Sequence, residues 1–139
     1  YVEAAARQLV ILLLRKYAAL SFRLTAHVGT LTSAQRRTVL DFIDARLDDA
    51  IDLKAIAAEV NMGACTFTRY FRRTIGMAPY AYVMERRLER ARRLLGETAM
   101  PIKEVASTCG FSDQAHLTRL FARRFHTTPL AHRKQNGAG

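Results

Sequence analysis

PIKEVASTCGFSDQAHLTRLFARRFHTTP, residues 101–129, reads as a short helix, a tight turn and a longer helix. From Ile102 to Cys109, Val105, Ala106 and Cys109 recur at helical steps, and Gly110-Phe111-Ser112 then breaks the period. From Asp113 to Phe125 the period returns, with Leu117, Leu120, Phe121 and Phe125 on one stripe. Gly110 suits a left-handed turn position, and Ala106 is small where two helices must approach closely. The combination is the helix-turn-helix pattern.

The same pattern occurs earlier in the chain. Leu53 aligns with Ile102 at an offset of 49 residues, followed by Ile56 with Val105, Ala57 with Ala106, Val60 with Cys109 and Met62 with Phe111. After one extra residue in the second copy the offset is 50, and Thr68 meets Thr118, Arg69 meets Arg119, Phe71 meets Phe121, Arg73 meets Arg123 and Pro79 meets Pro129. Two copies are too few for a solenoid, so this is a duplicated module. Its first copy runs from Leu53 to Val60, turns at Asn61-Met62-Gly63, and continues from Ala64 to Ile75, ended by Gly76. Asn61 is the next best residue to Gly at a left-handed position.

Between the copies, Pro79 at a helix start and Gly96 just past a helix end bracket a helix from about Tyr80 to Leu95. Val83, Leu88, Ala91, Leu94 and Leu95 form its inward side, and Arg86, Arg87, Arg90, Arg92 and Arg93 are expected to keep its surface basic. Upstream, Thr32-Ser33-Ala34-Gln35 matches a capping box, Val39, Ile43 and Leu47 supply one apolar stripe, and Asp52 is a plausible N-cap for the next helix. Glu3 to Leu24 lacks Gly and Pro and reads as a helix with Leu9, Leu13, Tyr17, Leu20 and Leu24 in step. Val10, Ile11, Leu12 and Leu14 make it apolar on other faces too, so it calls for cover either from this chain's own core or from a preceding domain or partner. The chain starts with Tyr rather than Met, which fits a fragment of something longer. The expected organisation is all-α: 1–31 an N-terminal helix and connector, 32–95 a first helix-turn-helix subdomain with linker helix, 96–134 a second, and 135–139 a flexible tail.

The 139 residues carry 22 Lys and Arg against 12 acids, a formal charge of +10, which points to a polyanionic partner or an anionic membrane surface. Residues 1–50 contribute +2 of this, 51–100 and 101–139 +4 each, so the basic surface belongs mainly to the duplicated region. The longest apolar run, Leu9 to Leu14, falls far short of the roughly 20 residues that span a bilayer. Cys65 and Cys109 form no C-x-x-C pair and are expected as free thiols in a reducing compartment, hence a cytoplasmic protein. The four histidines show no ligand spacing, so no metal or cofactor is expected. Clustered carboxylates and nucleophile–base pairs are missing as well, which argues against an enzyme.

Residues 101–129, written P-I-x-E-V-A-x-x-x-G-F-S-D-Q-x-H-L-x-R-x-F-x-R-x-F-x-x-x-P, resemble the signature of the AraC/XylS family of transcription regulators, in its C-terminal DNA-binding domain. The resemblance covers about Arg36 to Lys134. It implies seven helices, a helix-turn-helix at each end, and monomeric contact with two successive major-groove faces of duplex DNA. It also implies that full-length members often carry an N-terminal domain that binds a small effector or dimerises; RNA polymerase is a further partner on this reading. His126 departs from the family's usual Gly, and Asn61 and Gly63 depart from the usual turn of the first unit.

The side chains opposite each buried stripe are those available to a groove. In the first unit these are Cys65, Thr68, Arg69 and Arg72; in the second, Gln114, Ala115, His116, Thr118 and Arg119. Family position turns these solvated faces into base-reading candidates. Arg69 and Arg119 lead, because an Arg fork can bond both acceptors of a guanine edge, and Gln114 could bond adenine in the same way. Arg73, Arg123 and Arg124, with Arg72 beside them, suit phosphates, which fix register without reading sequence. The competing reading is a basic helical scaffold for an acidic protein, which sequence-selective, salt-dependent DNA binding would exclude.

Overall fold

The computed structural model describes residues 2–27 and 29–136, with side chains placed for 5–17 and 29–136. Among them are eight helices and no strand: α1 (Val2–His27), α2 (Ser33–Ala45), α3 (Leu53–Ala58), α4 (Ala64–Ile75), α5 (Pro79–Glu97), α6 (Ile102–Thr108), α7 (Gln114–Phe125) and α8 (Pro129–Asn136). The seven helices α2–α8 are those that the family resemblance implies. Residues 137–139 of the expected tail lie outside the described residues, as do the side chains of Leu20 and Leu24.

Local chemistry sets the boundaries. Thr32 accepts from the Gln35 backbone N–H while Gln35 Oε1 accepts from the Thr32 N–H, completing the capping box at α2. Asp52 caps α3 by accepting from the N–H groups of Lys54 and Ala55. Pro79 occupies the first turn of α5, but Gly96 sits inside its last turn: the helix runs on to Glu97, where the Thr98 backbone N–H still reaches the Leu94 carbonyl. A Gly marks a helix end only where the backbone turns left-handed, and Gly96 does not.

Two buried clusters form, and α5 supplies both. The first joins Val39, Ile43 and Leu47 to Ile56, Ala57, Phe67, Phe71 and Val83. The second joins Met84, Leu88, Ala91 and Leu95 to Val105, Ala106, Cys109, Leu117 and Phe121. Tyr82 reinforces the first from α5, its ring edge-on to Phe71 at 5.6 Å between centroids.

Along α1, Leu9 to Leu14 and Tyr17 are all exposed, Tyr17 by 71%, so this chain's own core does not cover that part of the helix.

Candidate nucleic-acid interface

The two turns share one hydrogen-bond plan. The Met62 N–H donates to the Ala57 carbonyl at 3.0 Å, and the Phe111 N–H donates to the Ala106 carbonyl at 2.9 Å. Asn61 (φ +54°) and Gly110 (φ +85°) hold the left-handed positions that the sequence assigns them. At the far ends, Gly76 and His126 both close their helices left-handed, so His126 does the work of the Gly it replaces.

The extra residue of the second copy changes the start of the recognition helix. α4 follows Gly63, which offers no side-chain cap, whereas Asp113 Oδ1 accepts from the His116 N–H at 2.7 Å ahead of α7. The Ser112 N–H in turn donates to His116 Nδ1 at 3.3 Å, and the His116 ring sits edge-on to Phe111. That contact engages Nδ1 and leaves Nε2 outside it.

Phe67 and Phe71 seat α4, and Leu117 and Phe121 seat α7, all fully buried; Tyr70, Ile75, Leu120 and Phe125 are only partly buried around them. On the opposite faces Cys65, Arg69 and Arg72 of α4, and Gln114, Ala115 and Arg119 of α7, are exposed. Thr68, Thr118 and His116 are half-buried, and the Thr68 hydroxyl donates back to the Ala64 carbonyl at 2.8 Å. Among the described residues, Arg69, Arg72, Arg73, Arg119 and Arg123 have no carboxylate partner. Arg124 does: it pairs with Glu85 of α5 at 2.7 Å, which raises its pKa and offsets its charge. Arg73 lies against Gly29, where a Cβ would collide with its guanidinium.

Tyr80, which the sequence did not single out, is 60% exposed at the start of α5 between the two recognition helices. One cleft beside it is lined by Thr68 of α4, the other by His116, Leu120 and Arg123 of α7. An aromatic directly after Pro79, between two amphipathic helices, was the available signal. Arg87 is a correction to the basic surface expected of α5: it is buried, because the carbonyls of Leu47 and Asp49 accept from it. Arg86 is also engaged, with Asp44 of α2 at 3.1 Å. Both thiols are free; Cys65 is exposed, and burial pushes the Cys109 thiol up from its ordinary range. Among the described residues no group of His, Cys, Asp or Glu is placed to hold a metal, and no helix is long and apolar enough to cross a membrane.

A pair of helix-turn-helix units strung on one shared helix, each presenting arginines without a carboxylate partner opposite a buried apolar stripe, defines a two-headed nucleic-acid-reading fold. The family profile described as "Helix-turn-helix domain" matches residues 56–135. The chain belongs to this family, in its AraC/XylS type. It is 34% identical over 101 residues to the HTH-type transcriptional regulator GbdR of Pseudomonas aeruginosa, covering 73% of this chain and 28% of that protein. With the HTH-type transcriptional regulator MtrA of Neisseria gonorrhoeae it shares 31% over 90 residues, covering 65% and 30%. The chain thus spans under a third of the length of these relatives. The fold matches an AraC-type transcriptional regulator from Chromobacterium violaceum (TM-score 0.70, 28% identity, covering 76% of this chain and 94% of that one). It also matches the DNA-binding domain of AdpA, solved in complex with a target DNA (TM-score 0.68, 30% identity, covering 75% and 93%).

Proposed function

We propose that this chain is the DNA-reading part of a transcription regulator and binds selected duplex sequences with α4 and α7 in successive major-groove segments. The observation that carries this reading is that two repeat-equivalent helices, each exposing an unpaired arginine at Arg69 or Arg119, flank the same turn of α5 at Tyr80. Arg69 and Arg119 are the leading base readers, with Cys65, Thr68, Arg72, Gln114, Ala115, His116 and Thr118 around them. His116 contributes through Nε2, since its Nδ1 is engaged. Arg73 and Arg123 neutralise phosphates, and Arg124 does so only by competing with Glu85.

The subdomain boundaries near 31, 95 and 134 go with this reading, as does a bacterial cytoplasmic location. RNA polymerase, and a small effector acting through a domain outside these residues, are the further partners it adds; the greater length of GbdR and MtrA supports the latter. Selection from random duplex DNA, followed by titration across salt, tests it. The expected result is two short boxes about one helical turn apart, roughly 34 Å or 10 base pairs, with affinity falling steeply as salt rises. Inserting five base pairs between the boxes should abolish joint binding. Recovery of no sequence preference, or a flat salt response, overturns the reading and favours a scaffold for an acidic protein.

A further inference from the structure

Arg87 joins the first unit to the second. It is 6% exposed and is the one buried charged residue among those described. Its Nε–H donates to the Leu47 carbonyl at 2.7 Å and its Nη2 to the Asp49 carbonyl at 2.6 Å, both just beyond the end of α2. Both carbonyls lie in the turn that follows α2. On its other side lies Gly110, the left-handed residue of the second turn: a Cβ there would stand 2.8 Å from Arg87 Nε and would collide with the Leu47 carbonyl. The end of α2, the guanidinium of α5 and the turn ahead of α7 therefore meet at one point.

The two cores are separate clusters that share α5, so apolar packing relates the units through that helix, and Arg87 adds a polar link from the end of α2 to the turn ahead of α7. The guanidinium fork is planar and holds two carbonyls at once, which fixes an angle as well as a distance. Burial opposes its charge and lowers its pKa, and its hydrogen-bond partners in the first unit are neutral carbonyls. Such a buried charge is costly to desolvate, and an apolar replacement would leave the Leu47 and Asp49 carbonyls without this donor, so Arg87 ties the two elements together rather than adding free stability.

We infer that the Arg87 junction against Gly110 and the Leu47 and Asp49 carbonyls sets the angle between the two DNA-reading units, and so sets the box spacing the protein accepts. This rests on the proposed reading that α4 and α7 bind one duplex together. One added base pair moves a box by about 3.4 Å and turns it by about 35°, so a rigid junction discriminates between spacers and a loose one does not.

The test uses the full chain, wild type and the variants Arg87→Lys and Arg87→Met, with the duplex selected by the wild type and its derivatives carrying spacers one or two base pairs shorter and longer. A duplex with one box scrambled and circular dichroism melting complete the set. Wild type should prefer its own spacer by about fivefold or more over its neighbours, a discrimination within the range of DNA deformation costs. Both variants should flatten that preference to about twofold or less, keeping wild-type affinity for the one-box duplex. Arg87→Lys, which retains a charge and can reach one carbonyl, carries the test if Arg87→Met does not fold. Variants with the wild-type spacer profile overturn the inference. Equal weakening on every spacer and on the one-box duplex assigns Arg87 to folding alone and overturns it too. A wild-type chain with no spacer preference fails earlier, at the reading that the two units bind together.

Discussion

Val83 and Met84 are consecutive on α5 and are buried in different cores, Val83 with Phe67 and Phe71 and Met84 with Leu117 and Phe121. One helix therefore serves as a wall of both units, and neither unit can lose it alone. Phe71→Ala and Phe121→Ala should each destabilise the chain by about 3–5 kcal/mol, the usual cost of emptying a buried aromatic site. Because α5 is shared, each variant should still unfold in a single transition by calorimetry and circular dichroism. Two resolved transitions in Phe121→Ala would show that the units fold independently.

The left-handed positions give a smaller test. Asn61→Ala removes a residue tolerant of positive φ and should cost about 1 kcal/mol, whereas His126→Gly should gain about 0.5 kcal/mol by relieving the αL penalty. Denaturant midpoints at constant slope measure both.

These positions also show how much the sequence carried. The duplication, the turns at Asn61 and Gly110, the caps at Thr32 and Asp52 and the buried faces of α4 and α7 were legible because each rests on local backbone rules or on helical period. Arg87 was not, because a basic residue on a helix is ordinarily solvated. Only the arrival of carbonyls forty and thirty-eight residues away draws it inward. The pairing of Arg124 with Glu85 was hidden for the same reason, since it joins residues 39 apart in sequence. Gly96 lay within the helix because its backbone stays out of the left-handed region and the Thr98 N–H carries the hydrogen-bond ladder on to the Leu94 carbonyl.

Base reading and phosphate contact separate by their sequence dependence. Arg69→Ala and Arg119→Ala should each cost about 1–3 kcal/mol at its own base pair and relax selectivity there, while Arg123→Ala should weaken all duplexes alike. Affinities for the full set of single-base-pair variants of the selected site distinguish the two. Equal loss on every sequence for both base-reader variants would reassign them to phosphates.

The Glu85–Arg124 pair predicts an increase in DNA affinity from the loss of an acid. Glu85→Gln frees the Arg124 guanidinium and removes a negative charge from the basic face, so non-specific duplex binding should strengthen and the slope of log affinity against log salt should steepen by up to about 1. Conversely, Arg124→Ala should alter that slope less than Arg123→Ala. Equal effects of the two alanine variants would mean that DNA strips Arg124 from Glu85 at no cost.

Finally, the uncovered leucines of α1 give the chain a colloidal behaviour opposed to its charge. At low ionic strength the +10 charge keeps molecules apart, and that repulsion acts over about 10 Å at 0.1 M salt and only about 3 Å at 1 M. Added salt therefore lets the exposed run from Leu9 to Leu14 bring molecules together over the same range in which it releases DNA. Light scattering should show the average particle mass rising with salt for the whole chain but not for a Leu9→Ser, Leu12→Ser, Leu13→Ser variant. The rod of leucines and the basic faces thus respond to one variable in opposite directions, and the medium that frees the protein from its duplex is the one in which it is least content to remain a single particle.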